Sequence, residues 1–253
     1  MRLRWLGTAG FELVSEDTSA LIDPYLTRNH RATPKQDLGP EDFSHARAIF
    51  VTHGHFDHAF DVPALVAASG AAVYASHAVC ASLAAKGVPR TSLHATAAGA
   101  GAELGPFRFT AVPACHVTFD FRLVLSTIPR CLPRLATLAG LGPRRYPAGQ
   151  VLGWLVEVEG KNLLHLGSAC MAWVPDRRVD VFMVPAQGRT DISEVAAELV
   201  RRVNPGKVVA HHHDDFYPPL SRSVDLAGFE GEIRSRGVVA DLLLPTINEP
   251  VEI

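Results

Sequence analysis

Ala48-Ile-Phe-Val-Thr52 runs without a break into His53-Gly-His-Phe-Asp-His58. The first five residues are apolar or β-branched and of strand length, so they predict a buried strand that delivers the next six onto a loop at its end. Three imidazoles and a carboxylate in six positions have little structural reason to crowd together, and a merely solvated histidine-rich turn is the weaker reading. At a strand end the side chains of His53 and His55 can converge on one ion while Asp57 and His58 turn toward a second. Imidazole with carboxylate suits Zn²⁺, with Mn²⁺ or Fe possible as oxygen ligands increase, and a catalytic site keeps one position open for water.

Outward from this stretch the chain alternates short strands and helices. Leu3 to Leu6, Phe11 to Val14 and Ala20 to Ile22 are β-like runs separated by Gly7, Gly10 and a polar turn, which predicts a meander. A helix over residues 62–69, a strand at 72–74, a helix at 77–86 and a strand at 107–112 lead to Pro113-Ala-Cys-His116. A second cycle follows, with strands at 151–158, 162–166, 179–184 and 207–210. Between the last two, Asp191 is placed to cap a helix with Glu194, and Ile192, Val195, Ala196, Leu199, Val200 and Val203 form its apolar face before Asn204-Pro-Gly stops it. Asp61 is similarly placed to cap the helix that starts at Val62. The pattern predicts an α/β chain, two mixed β-sheets packed together with helices outside (αββα), in one domain over 1–253.

Residues 117–150 stand apart. Five arginines (Arg122, Arg130, Arg134, Arg144 and Arg145) face one acidic residue, Asp120, among many aliphatic and aromatic side chains. Lying directly after His116, this basic, apolar insertion is expected at the mouth of the histidine site, as a lid for an anionic or amphiphilic small molecule, as an interface between copies, or as a peripheral contact with an anionic membrane. Over the whole chain 24 basic residues balance against 26 acidic ones, so no global basic field favours nucleic acid. The N-terminus lacks the apolar core of a signal peptide and no stretch has the length of a membrane span. The four cysteines form no CxxC pair and are expected as reduced thiols, which points to the cytoplasm.

His-x-His-x-Asp-His resembles the signature of the metallo-β-lactamase superfamily. Met1-Arg-Leu-Arg-Trp-Leu-Gly-Thr-Ala-Gly-Phe11 and Ala20-Leu-Ile-Asp-Pro-Tyr-Leu26 look like the opening strands of its branch that contains ascorbate-phosphate lactonase. Val112-Pro-Ala-Cys-His116 is similar to that family's third-ligand strand, and Val208-Val-Ala-His-His-His-Asp-Asp-Phe216 to its terminal histidine block. The resemblance implies the αββα fold, a first metal on His53, His55 and His116, and a second on Asp57, His58 and His212. His211 and His213 remain alternatives to His212, because strand alternation puts those two on the face opposite to it. Leu164-His-Leu-Gly-Ser168 departs from the family, which places a bridging Asp where Ser168 stands, so the second ion is expected to bind more weakly. His165 is expected to support the structure rather than bind metal, and Asp23 to orient a histidine of the metal loop.

The implied activity is hydrolysis of an ester, lactone or phosphodiester by zinc-activated hydroxide. Asp57 and His213 are the candidate catalytic groups, with Asp214 and Tyr217 as further proton donors, and Ser168, Arg122, Arg130 and Tyr217 are candidates for substrate contact. The rival readings are a phosphodiesterase for a lipid-like substrate and a non-catalytic metal-binding or sensory protein.

Overall fold

The computed structural model describes residues 1–253, apart from the side chain of Ala136. The meander forms as strands β1 (Arg2–Gly7), β2 (Gly10–Ser15) and β3 (Thr18–Ile22), followed after a long loop by β4 (Ala48–Phe50). Then come helices α1 (Phe56–Ala59) and α2 (Val62–Ser69), strand β5 (Ala72–Ala75), helix α3 (His77–Ala85), and strands β6 (Leu93–Ala95), β7 (Gly101–Leu104) and β8 (Phe107–Pro113). The insertion holds helices α4 (Phe121–Cys131) and α5 (Leu135–Ala139). The second cycle supplies β9 (Leu152–Val158), β10 (Lys161–Leu166), β11 (Val181–Pro185), α6 (Ile192–Val203), β12 (Lys207–His211), α7 (Phe229–Ser235), β13 (Asp241–Leu243) and β14 (Pro250–Glu252).

Among the described residues each sheet has seven strands, in the orders β14-β1-β2-β3-β4-β5-β6 and β13-β12-β11-β10-β9-β8-β7. Each is mixed: β3 to β6 run parallel, as do β10 to β13, and the remaining pairs are antiparallel. Because strand side chains alternate, each strand feeds two cores. Ala48 and Phe50 of β4 and Val209 of β12 point between the sheets, where Phe50 stacks on Phe109 with ring centroids 3.7 Å apart. Ile49 and Val51 face α2 and α3, and Val208 and Ala210 face α6 and α7. The αββα layering therefore follows from the period-two pattern of the strands and the 3.6-residue pattern of the helices. The loops that carry the candidate ligands leave the C-terminal ends of β4, β8 and β12, on one edge of the sandwich.

Three local expectations need correction. Asp191 stands at the start of α6 but makes no side-chain cap bond, because Arg189 takes both its carboxylate oxygens at 2.7 and 2.8 Å. Asp61 does not cap α2 through its side chain either. Its carboxylate accepts the backbone N–H groups of Leu26 and Thr27 at 2.7 and 2.9 Å and so ties the loop after β3 to the metal loop. The expectation of four reduced thiols fails for two of them, since Cys115 and Cys170 form a disulfide, while Cys80 and Cys131 are free and buried. Their separation of 55 residues conceals that the chains after β8 and β10 lie side by side, with Cα atoms 5.0 Å apart and Cys115 N–H donating to the Cys170 carbonyl at 3.3 Å.

Candidate metal centre

Asp23 and the residues after β4 build the base of the site. The register of β3 against β4 pairs Ile22 with Phe50, so the next residues of both strands emerge together. Asp23, fully buried with a left-handed φ of 44°, turns its carboxylate back onto that junction. Its Oδ1 accepts Thr52 N–H at 2.7 Å, and its Oδ2 accepts the Thr52 hydroxyl at 2.5 Å and His58 Nδ1 at 2.8 Å. With its hydroxyl proton committed to Asp23, Thr52 accepts from His53 Nδ1 at 3.1 Å. One carboxylate thus fixes two imidazoles with Nδ1 as donor and Nε2 turned into the site. The close fit leaves no room beside it: a Cβ on Gly167 would stand 2.0 Å from the Thr52 hydroxyl, and one on Gly54 2.1 Å from the Pro147 carbonyl.

Two triads of ligand atoms result, His53 with His55 and His116, and Asp57 with His58 and His212, each with its atoms within 4.8 Å of one another. In the first, His53 Nε2 and His55 Nδ1 converge to 3.2 Å, and His116 gives its Nδ1 proton to the Val117 carbonyl at 2.8 Å. In the second, Asp57 Oδ2 lies 3.3 Å from His212 Nε2 and 3.6 Å from His58 Nε2. The rings of His53 and His58 are 4.0 Å apart between centroids, so the triads adjoin. His212 Nδ1 is buried without a hydrogen-bond partner among the described residues.

The electrostatics suit cation ligands. Burial, reinforced by the neighbouring imidazoles, pushes His53 well below the ordinary histidine range and His55 down to about 4, so both offer neutral lone pairs. Burial also lowers His116, against the opposing bond to the Val117 carbonyl. Burial would raise Asp57, but His58 and His212 outweigh it and hold the carboxyl ionised. His58 is raised despite burial because Asp23 and Asp57 flank it. Three neutral imidazoles beside two imidazoles and a carboxylate, with His53, His58 and His116 oriented by hydrogen bonds at Nδ1, are a donor set that fits a transition-metal ion in each triad.

The terminal histidine block reaches the site by a different route from simple strand alternation. β12 ends at His211, which points between the sheets and stacks on His165 with centroids 5.0 Å apart. His212 then adopts a left-handed φ of 55°, donates its N–H to the Thr8 carbonyl at 2.8 Å, and swings its ring toward Asp57. His213 stacks on Trp5, 5.2 Å between centroids, and belongs to neither triad. Asp214 is buried against Arg28 and accepts Thr8 N–H at 3.1 Å, which makes it a brace for the turn that holds His212. His165 donates Nε2–H to the Ala9 carbonyl at 3.0 Å, a supporting role.

Of the substrate-contact candidates, Ser168 is engaged elsewhere: its hydroxyl accepts Val117 N–H at 2.9 Å and holds the residue after His116. Arg130 donates to the carbonyls of Pro219 and Ser221 and anchors α4. Arg122 is exposed on α4, and the half-buried Tyr217 meets Phe56 edge-on at 5.4 Å. Sequence reasoning overlooked Thr52, Thr8 and Arg28, which carry no ligand chemistry of their own. Only the position of Thr52 directly before His53 could have flagged it. It overlooked an aromatic wall too, where Phe216 packs on His212 at 5.2 Å and Tyr25, Phe56 and Tyr146 complete the cluster.

A family model described as a beta-lactamase superfamily domain matches residues 18–213. A UPF0173 metal-dependent hydrolase of Symbiobacterium thermophilum is 29% identical over 253 residues, covering 96% of this chain and 96% of that protein. Another from Carboxydothermus hydrogenoformans is 28% identical over 254 residues, with 97% of each covered. Among solved structures, a metallo hydrolase from Ignicoccus hospitalis superposes with a TM-score of 0.71 at 21% identity, covering 99% of this chain and 97% of that one.

Proposed function

Since the chain belongs to the beta-lactamase superfamily, we propose that it is a metal-dependent hydrolase of an ester, lactone or phosphodiester bond in an anionic or amphiphilic small molecule, with zinc as its metal. The adjoining triads carry this reading: six donor side chains whose ligand atoms gather, in each set of three, within 4.8 Å of one another. His53, His55 and His116 would hold one ion and Asp57, His58 and His212 a second. When bound, such ions supply an acidified water as nucleophile and polarise the oxygen of the bond to be cleaved.

The chain's own residues do the rest. Asp23 holds the Nδ1 protons of His58 and, through Thr52, His53, so that neither ring turns. Asp57 stays ionised beside His58 and His212 and so keeps its carboxylate available as the anionic donor of the second triad. Phe119, edge-on to His116 at 5.5 Å, and Phe216 against His212 border the two triads with apolar surface, which favours an acyl or aromatic substrate portion. His213 has no role in this scheme.

The test combines elemental analysis after zinc or manganese loading with turnover of a lactone series and a phosphodiester series. Two ions per chain and turnover of either series, lost in His55→Ala, support the reading. Protein that binds no metal tightly, or binds two ions yet turns over neither series, overturns it.

A further inference from the structure

The insertion presents an apolar stripe that the fold leaves uncovered. Phe121, Leu125 and Ile128 recur at helical spacing along α4, with Phe119 before them and Leu132 and Leu135 beyond, and all six are between 50% and 74% exposed. The opposite side of the helix is fastened to the body. Asp120 caps it at Leu123 N, 2.9 Å, and also accepts Thr190 N at 2.6 Å; Arg130 holds the carbonyls of Pro219 and Ser221; Cys131 is buried. The stripe is therefore a fixed outward face and not an undocked core. No helix of the described residues is long and apolar enough to cross a membrane.

We propose that α4 is an interfacial anchor that docks the protein on an anionic lipid surface. Charge complementarity selects this occupant. Arg122 and Arg134 are exposed beside the stripe, Arg144 and Arg145 lie exposed in the loop that follows, and the segment's one carboxylate, Asp120, is occupied by backbone N–H groups. Apolar side chains flanked by arginines are what a headgroup and acyl boundary accommodates. A second copy placed face to face would set arginine against arginine. The remaining 219 residues carry a net negative charge, so the basic excess of the chain lies in this segment and favours docking through it. The stripe begins at Phe119, in contact with His116, so docking puts the first triad beside the lipid.

The experiment is flotation of the full chain with vesicles of phosphatidylcholine alone and of phosphatidylcholine mixed with phosphatidylglycerol, at low and raised salt. The anchor predicts co-flotation with the anionic vesicles, weakened by salt, and at least about tenfold less with neutral ones. The Leu125→Glu/Ile128→Glu variant, altered only at solvent-exposed positions, loses anionic-vesicle binding by at least about tenfold while its metal content and circular dichroism stay those of the wild type. Wild-type protein that floats with neither vesicle, or a variant that binds as the wild type does, overturns the proposal. So does a concentration-dependent dimer in light scattering, dispersed by the same variant in the absence of vesicle binding, which would make the stripe an interface between copies. Neither readout requires turnover, so failure here is separable from failure of the hydrolase reading.

Discussion

The two ligand triads are adjacent but supported in different ways. The first is three imidazoles gathered from two loops, half-exposed at His55 and His116, with no carboxylate among its donors. The second is buried throughout, includes the Asp57 carboxylate, and rests directly on Asp23 through His58. Asp23 reaches the first triad only through the Thr52 hydroxyl. Ser168, expected from its sequence position to weaken the second site, touches the chain of the first. The hydrogen bonds behind the candidate ligands thus show which triad each of these residues touches.

Removing a direct ligand breaks the comparison most severely. His55→Ala and Asp57→Ala are each expected to leave one tightly held ion of two and to lower turnover at least about 100-fold, measured by elemental analysis and initial rates. Loss of both ions in either variant would show that the triads act as one site. Next comes Asp23→Asn, which removes the charge but keeps the shape. Competition with a chelator should show the second ion weakened about 10- to 100-fold and the first less, reversing only if Thr52 matters more than His58.

A pH titration of the metal-free protein tests the scaffold common to both triads. Burial holds the His165 imidazole down to about 4, against 6.5 in the unfolded chain. Between those values the unfolded state takes up a proton that the folded state refuses, so this residue's contribution to stability is lost as pH falls from about 6.5 to about 4 and changes no further below that. The loss is on the order of 3 kcal/mol, and denaturant unfolding of His165→Gln should show a correspondingly flatter slope across that window. The smallest expected effect sharpens the contrast. Ser168→Ala strips Val117 N–H of its partner at a cost of about 1–2 kcal/mol, and should loosen the ion held by His116 while leaving the other unchanged, read by the same chelator competition.

Much of this was legible in the sequence because it is local. His53 to His58 sit within one loop, the strand and helix periods of β4, α2 and α6 mark the two sheets and their outer helices, and the resemblance identified His116 and His212 at long range. What escaped depends on contacts between distant segments. Asp61 and Asp191 look like caps because their sequence neighbours are helices, yet tertiary partners, the backbone at Leu26 and Thr27 and the guanidinium of Arg189, compete more strongly. Alternation along β12 could not anticipate that His212 leaves the strand with a left-handed backbone held by Thr8. Nor does spacing reveal that Cys115 and Cys170 meet.

That last pairing gives the molecule an unusual response to cleavage. The bridge closes a ring of chain that contains the whole of α4 and α5. A protease that severs α4 produces two pieces, one carrying His53, His55, Asp57, His58 and His116, the other carrying His212, and a covalent tie still joins them a single residue from His116. The nicked protein should therefore migrate as one species until a thiol reductant is added, and then come apart through the middle of its candidate metal centre.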